Sequence, residues 1–224
     1  MTVHSSKLIA GDSTAVSQYS KTRGPYALGL KRVLDLGLVL MVLPFLLPFL
    51  AIVGFLIALD GHSPFFRQER VGLSGKRFFM WKFRTMVPNA EAHLQSYLAK
   101  NPEARAEWDE KQKLAVDPRI TKIGRILRRT SVDELPQLLN VLTGEMSLVG
   151  PRPMMPCQQA LYPGHAYYRL RPGLTGSWQV SERNKSTFAE RAIYDDSYEL
   201  ELSFATDAKI IAKTVGVVFR CTGV

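Results

Sequence analysis

Asp133 and Glu134 stand side by side in Thr130-Ser131-Val132-Asp133-Glu134-Leu135-Pro136, just after a cationic run and just before an apolar stretch. Two chemistries are open to such a pair. A carboxylate can attack an electrophilic phosphorus, and adjacent acids can hold a hard divalent cation against a phosphate. A serine three residues ahead of a glutamate is the capping-box pattern, and the positive end of the helix it opens favours ionised carboxylates in the first turn. The spacing therefore predicts a helix beginning at Ser131, with Asp133 an anion at neutral pH. The same pattern opens many helices that do no chemistry, so the spacing alone does not separate catalysis from capping. Pro136 is comfortable only near a helix start, which leaves the register open by a residue or two.

Cations that could face an anionic substrate occur at three other places. The runs Phe65–Val71 and Lys76–Arg84, rich in aromatics and separated by Gly72-Leu73-Ser74-Gly75, read as a β-hairpin. Alternation in the second run puts Lys82 and Arg84 on one face, either for phosphate or as a charged edge. In Gly150-Pro151-Arg152-Pro153 two prolines stiffen the backbone around one guanidinium, a group suited to bidentate contact with phosphate; a surface turn is the alternative. Arg169-Leu170-Arg171-Pro172-Gly173-Leu174-Thr175-Gly176 again combines cations with glycines, and Gln179 and Arg183 follow it.

The elements that must carry these residues are readable in outline. The 224 residues suffice for one domain with a proper core, and 29 Lys+Arg against 20 Asp+Glu give a formal charge of +9. Such a balance suits nucleic acid, phospholipid or a phosphorylated substrate without choosing among them. Cys157 and Cys221 form no metal or disulfide pattern, which makes a reducing compartment the default. The first residues, 1–24, are rich in Ser, Thr and Gly and read as a mobile tail without a signal peptide. From Leu36 to Leu59 there are 24 residues without a charge, and about 20 apolar residues cross a bilayer as a helix. Pro44 and Pro48 favour a sharp bend in it. Lys31 and Arg32 before it, and Arg67, Arg70, Lys76 and Arg77 after it, all prefer the cytoplasmic side. A re-entrant helix that turns at the prolines satisfies both flanks, whereas a single span satisfies one.

Residues 89–116 are polar and helical in flavour, broken at Asn101-Pro102, and carry no evident chemistry. Between Asp117 and Arg129, Ile120, Ile123 and Leu127 fall at helical spacing with cations on the other faces, as in a helix lying among lipid headgroups. A helix over Leu135–Leu142 stops at Gly144, and two more helices are expected over Thr187–Tyr198 and Asp207–Phe219. No internal repeat, nucleotide fingerprint, P-loop or Ser/His/Asp arrangement is visible.

Taken together, Lys31-Arg32 before the Pro-containing apolar segment, Lys82-Phe83-Arg84-Thr85-Met86, Asp117-Pro118-Arg119, Ser131-Val132-Asp133-Glu134-Leu135, Gly150-Pro151-Arg152-Pro153 and Arg171-Pro172-Gly173-Leu174-Thr175-Gly176 resemble the bacterial sugar transferase family. These are monotopic phosphoglycosyl transferases acting on polyprenyl phosphate, and the resemblance runs from about Lys31 to Lys213. It implies transfer of hexose 1-phosphate, galactose or glucose, from a UDP-hexose to undecaprenyl phosphate with release of UMP, at the start of exopolysaccharide or other surface glycan synthesis. It further implies that Asp133 is the nucleophile forming a covalent phosphosugar intermediate. Glu134 is then the ligand of Mg2+, and Lys82, Arg84, Arg128, Arg152, Arg171, Gln179, Arg183 and Asp195 are substrate-binding residues. Two anionic substrates at one carboxylate need such cations to offset repulsion.

The expected fold is an α-rich α+β arrangement with one re-entrant membrane helix, several interfacial amphipathic helices and a small β-hairpin. Its parts are a tail (1–28), the membrane helix (29–62) and a catalytic domain (63–224) on the cytoplasmic face of the bacterial inner membrane, with membrane lipids and no nucleic acid as partners. The competing expectation is a non-catalytic basic module tethered to anionic lipid or nucleic acid. Oligomeric state is not readable. Two departures from the family pattern stand out: Leu47 precedes Pro48 where a serine is frequent, and Glu182-Arg183-Asn184 stands where Gly-Arg-Asn is frequent. The thirty residues between Met86 and Asp117 resemble members that begin exopolysaccharide units with glucose or galactose.

Overall fold

The computed structural model describes residues 24–111, 114–181 and 187–219. The expected tail therefore falls almost wholly outside the described residues, as does Arg183 with its Glu182 and Asn184 neighbours. A π-helical turn, Tyr26–Leu30, runs directly into helix α1, Lys31–Ala58, which continues through Pro44 and Pro48 without a break. Among the described residues this is the one helix long and apolar enough to cross a membrane. It is apolar all round, and two stretches of one side dock on the rest of the molecule. Val39 packs with Phe78, Met80 and Leu138, and further along Val53 and Ile57 pack with Phe83 and Leu127. Many of its other apolar side chains, among them Met41, Phe45 and Phe55, are exposed, Phe45 by 83%. A contiguous bare apolar surface of this kind calls for lipid.

Both ends of α1 are tied to the same body. At its start Lys31 Nζ and the Tyr26 hydroxyl each donate to Asp207 Oδ2 at 2.6 Å, and the Ser147 hydroxyl donates to Asp35 Oδ2 at 2.6 Å. Arg32 donates to the carbonyls of Val141 and Leu142, at 2.6 and 3.2 Å. At its end Arg84 donates to both oxygens of Asp60, at 2.6 and 2.7 Å, and to the Ile57 carbonyl at 3.1 Å. Lys31, Arg32 and Arg84 are thus engaged with protein groups, and Arg32 satisfies orphan carbonyls at a helix C-terminus.

After α1 the hairpin pairs β1, Phe65–Val71, with β2, Arg77–Phe83, in a register running from Phe65 opposite Phe83 to Val71 opposite Arg77. Its turn takes left-handed backbone at Ser74 and Gly75. Asn140 clamps the free edge of β2, accepting from the Trp81 amide at 3.0 Å and donating to the Phe79 carbonyl at 2.8 Å. Helices α2, Ala90–Lys100, and α3, Pro102–Lys111, enclose Leu94, Leu98 and Leu114 in a small core of their own. Helix α4, Lys122–Thr130, is capped by Thr121, whose hydroxyl accepts from the Gly124 amide at 2.8 Å. Gly124 is buried, and a β-carbon there would run into the Thr85 carbonyl, so α4 seats closely on the strand exit. Leu127 is buried while Ile126 is 65% exposed, leaving an apolar strip beside α1.

A helix does open after Ser131, but as a 3-10 turn and without the expected side-chain cap. Ser131 is the C-terminal cap of α4, its φ is 58°, and its amide bonds the Arg128 carbonyl at 3.2 Å; its side chain makes no capping bond. An N-cap needs extended backbone, which a residue finishing one helix in the left-handed region does not have. The acids therefore lie in a 3-10 turn, Val132–Gln137, and only then does helix α5, Leu138–Thr143, begin, closing at Gly144 with φ 89° as expected.

Strands β3, Ser147–Val149, and β4, Gly173–Thr175, pair in parallel and interlock the two glycine-containing loops. Gly150 donates to the Thr175 carbonyl at 2.9 Å and Gly173 to the Pro151 carbonyl at 2.8 Å. A β-carbon on Gly150, Gly173 or Gly176 would strike the facing backbone. Helices α6, Ala166–Arg169, α7, Arg191–Leu200, and α8, Phe204–Phe219, complete the described chain. Tyr167 joins them to the hairpin, donating to the Val71 carbonyl at 2.6 Å and accepting from the Met154 amide at 3.1 Å. The whole is α-rich with two small sheets, the α+β class expected.

Candidate active site

The 3-10 turn packs against β2, and this brings the acids to the cations. Lys82 Nζ donates to Glu134 Oε1 at 2.7 Å, with both side chains about three-quarters buried or more. Arg128, at the end of α4, turns inward and donates from Nε to the Thr85 hydroxyl at 2.9 Å. Arg152, next to Gly150 and Pro151 in the interlocked glycine loops, lowers the titration of the Glu134 carboxyl. Lys82, Arg84, Arg128, Asp133, Glu134 and Arg152 all line one polar cavity of about 820 Å³. The outer part of that cavity is walled by Asn89, Ala90 and Glu91 at the start of α2, a segment whose sequence shows no chemistry.

The two acids differ electrostatically. Asp133 is 8% exposed, and burial, with Glu134 beside it, pushes its carboxyl up to about 6 against the opposing pull of Lys82 and Arg128. This reverses the direction expected from a helix start: loss of water outweighs the backbone dipole here. For Glu134 burial also acts upwards, but Lys82, Arg152 and Arg70 outweigh it, and its carboxyl titrates below the usual range. Asp133 is thus a comparatively basic carboxylate, still mostly ionised at neutral pH, next to a firmly anionic partner.

Behind this pair lies a group of arginines that the motifs do not single out. Arg70 is pushed down to about 10 by burial and by Arg152, and its Nε has no hydrogen-bond partner. Arg191 stacks over Trp178 at 4.1 Å and Phe188 at 4.7 Å, is also lowered by burial and Arg152, and again leaves Nε unpartnered. Arg152 lies over the same Trp178 at 5.8 Å. Buried guanidinium donors without partners, gathered beside a carboxylate, make a place receptive to an anion. The alternation of Arg70 with Val71 in the hairpin was the one available signal for the first; Arg191 had none.

The remaining expected residues are placed as follows. Arg84 lines the cavity while its guanidinium holds Asp60 and α1. Gln179 lines a second, apolar cavity of about 480 Å³, which shares Ser131, Glu134 and Arg152 with the first. Arg171 lines neither: its Nε donates to the Gly144 carbonyl at 3.0 Å on the surface at the end of α5. Asp195 is buried outside both cavities, accepting from the Tyr162 hydroxyl at 2.7 Å; burial and the neighbouring Asp196 push it up to about 7. Its electrostatic link to the site runs through Arg191.

Among the described residues no group of three or more metal-ligating side chains occurs. The donor chemistry fits a hard cation that arrives with its own phosphate ligands, since Mg2+ is commonly held by one or two carboxylates plus substrate oxygens. Glu134, with one oxygen on Lys82 and the other carboxylate oxygen to offer, and Asp133 are the groups that would hold it.

The model of the bacterial sugar transferase family matches residues 26–221. The UDP-galactose-lipid carrier transferase of Erwinia amylovora is 47% identical over 196 residues, 87% of this chain and 41% of that protein. Exopolysaccharide production protein ExoY of Sinorhizobium fredii is 44% identical over 86% of this chain and 87% of its own length. The undecaprenyl-phosphate galactose phosphotransferase of Salmonella typhimurium is 43% identical over 87% of this chain and 41% of its own. The chain thus spans about two fifths of the Erwinia and Salmonella proteins and most of the Sinorhizobium one.

Proposed function

The chain belongs to the bacterial sugar transferase family, and on that footing we propose that it is a phosphoglycosyl transferase moving hexose 1-phosphate, galactose or glucose, from a UDP-hexose to undecaprenyl phosphate at the start of exopolysaccharide synthesis. The observation that carries this reading is the pairing of a half-basic buried carboxylate, Asp133, with Lys82, Arg128 and Arg152 around one polar cavity.

In the first step an Asp133 oxygen attacks the sugar-linked phosphorus. A P–O bond forms to Asp133, the P–O bond to the bridging oxygen breaks, and UMP leaves with the electron pair, leaving an aspartyl phosphodiester to the sugar. In the second step an oxygen of the lipid phosphate attacks the same phosphorus, and Asp133 is returned as carboxylate. No proton is gained or lost in either step. Lys82, Arg128 and Arg152 offset the repulsion between carboxylate and diphosphate, and Arg70 and Arg191 raise the positive potential behind them. Glu134 would hold Mg2+, which when bound supplies charge neutralisation at the diphosphate oxygens. Glu134 also holds the Lys82 ammonium at the cavity wall, accepting from it at 2.7 Å.

Docking of both ends of α1 on one body supports a re-entrant helix with the catalytic residues on the cytoplasmic face. Inward-facing cations distinguish this reading from a non-catalytic basic module, whose charges would face outward to lipid or nucleic acid. The test is release of UMP from UDP-galactose and UDP-glucose by the purified protein in Mg2+, followed by transfer to undecaprenyl phosphate. Activity is expected in the native protein and absent from Asp133→Asn, since an amide does not displace the leaving group; UMP release by that variant at the native rate would refute the assignment.

A further inference from the structure

We infer that the second, apolar cavity is the seat of the acceptor's isoprenoid chain, and that Gln179 receives the acceptor's phosphate beside Arg152. This rests on the proposed transferase reading and adds to it a site and an approach direction for the second substrate.

The cavity runs between the first half of α1, at Leu38, Val42 and Leu46, and the last turns of α8, at Ile211 and Val215. Leu40, Met41 and Phe45 of α1 and Val215 of α8 are exposed beside it, so the cavity opens where lipid must lie. Its charged and amide groups are Glu134, Arg152 and Gln179, joined by the hydroxyls of Ser131, Thr175 and Thr214. An arginine and an amide donor beside a glutamate already paired with Lys82, on an otherwise hydrocarbon channel, complement an amphiphile with a single anionic head. A nucleotide sugar would bury hydroxyls and carbonyls against leucine and valine, at a cost of kilocalories per unpaired group. The other cavity, which shares Glu134 and Arg152 with it, is far richer in polar groups, with Lys82, Arg84, Arg119, Arg128 and Asp133 in its lining.

Gln179 supplies an independent observation. It is only 9% exposed, yet neither Nε2 nor Oε1 has a hydrogen-bond partner. A buried amide left unsatisfied is costly in a folded protein, and its retention at a cavity wall is accounted for when a ligand oxygen completes it. In-line attack on the aspartyl intermediate comes from the face opposite Asp133, so the lipid phosphate takes the position UMP has left, entering where the two cavities share Ser131, Glu134 and Arg152.

The experiment separates the two steps. Purified protein is mixed with UDP-hexose and Mg2+ without lipid, and the UMP burst measures the first step; undecaprenyl phosphate is then added, and in parallel a short isoprenyl phosphate, to measure the second. Val42→Trp and Val215→Trp fill the channel from exposed positions. Each is expected to lower the ratio of transfer rate to burst rate about tenfold with undecaprenyl phosphate, as loss of a few buried methylenes implies, and less with the short acceptor. Gln179→Leu is expected to raise the acceptor's KM about tenfold without lowering the melting temperature, since it removes an unpartnered amide. Unchanged ratios in the tryptophan variants, or a Gln179→Leu effect confined to the UDP-hexose KM, would overturn the inference while leaving the transferase reading intact. No UMP burst in the native protein would overturn the reading, and the inference with it.

Discussion

A carboxylate that titrates near 6 is more basic than an ordinary aspartate and still largely ionised at neutral pH. The first step should therefore lose rate as pH falls through about 6, with unit slope on a logarithmic plot, because the reactive form is the anion. Lys82 is the strongest influence holding Asp133 down, so Lys82→Met should move that acid limb to higher pH, by an amount read from burst rates between pH 5 and 8. A limb that stays in place would mean that Lys82 does not couple to Asp133. The identities of Asp133 and Glu134 were legible in their spacing and in the company of the other motifs. Their unequal titration was not, because burial is a property of the packed turn and the sequence supplied only the helix-dipole argument, which has the opposite sign. Arg171 and Arg152 look alike in sequence, each beside a proline and a glycine; only the interlocked loops send one to the cavity and the other to the end of α5.

At the level of elements, the glycine motifs act through backbone proximity. Gly150, Gly173 and Gly176 let β3 and β4 approach closely enough to fix Arg152 and Gln179 on one wall. Gly173→Ala should accordingly destabilise the protein by about 1–3 kcal/mol, the usual cost of forcing extra volume into a tight contact, with thermal melting as the measure. A melting temperature within error of the native value would show that the contact can relax. The hairpin was legible because alternation and a Gly-flanked turn coincide in Phe65–Phe83. The capping box at Ser131 misled because the residue sits in left-handed backbone between α4 and the 3-10 turn, where its side chain makes no capping bond. Asp35 likewise escaped notice: it stands one residue before the uncharged run, and its role with Ser147 emerges only when α1 lies against β3.

The molecule as a whole is arranged about α1. Because Arg32, Lys31 and Asp35 at one end and Asp60 at the other bind the same body, single cysteines at Gly24 and His62 should react with an impermeant maleimide from the same side of sealed inverted membrane vesicles. Labelling from opposite sides would replace the re-entrant helix with a span. The bare apolar flank of α1, the acceptor channel beside it and the polar cavity beyond place the acids at a boundary between lipid and water, which is where a reaction joining a sugar nucleotide to a membrane lipid has to occur. The most direct test of that account is the intact mass of the protein after incubation with UDP-hexose and Mg2+ and no lipid. The account predicts a gain of one hexose phosphate, mapped to the peptide carrying Asp133, absent in Asp133→Asn and discharged on adding undecaprenyl phosphate; an adduct on another residue, or UMP formed at the native rate by the variant, would contradict it.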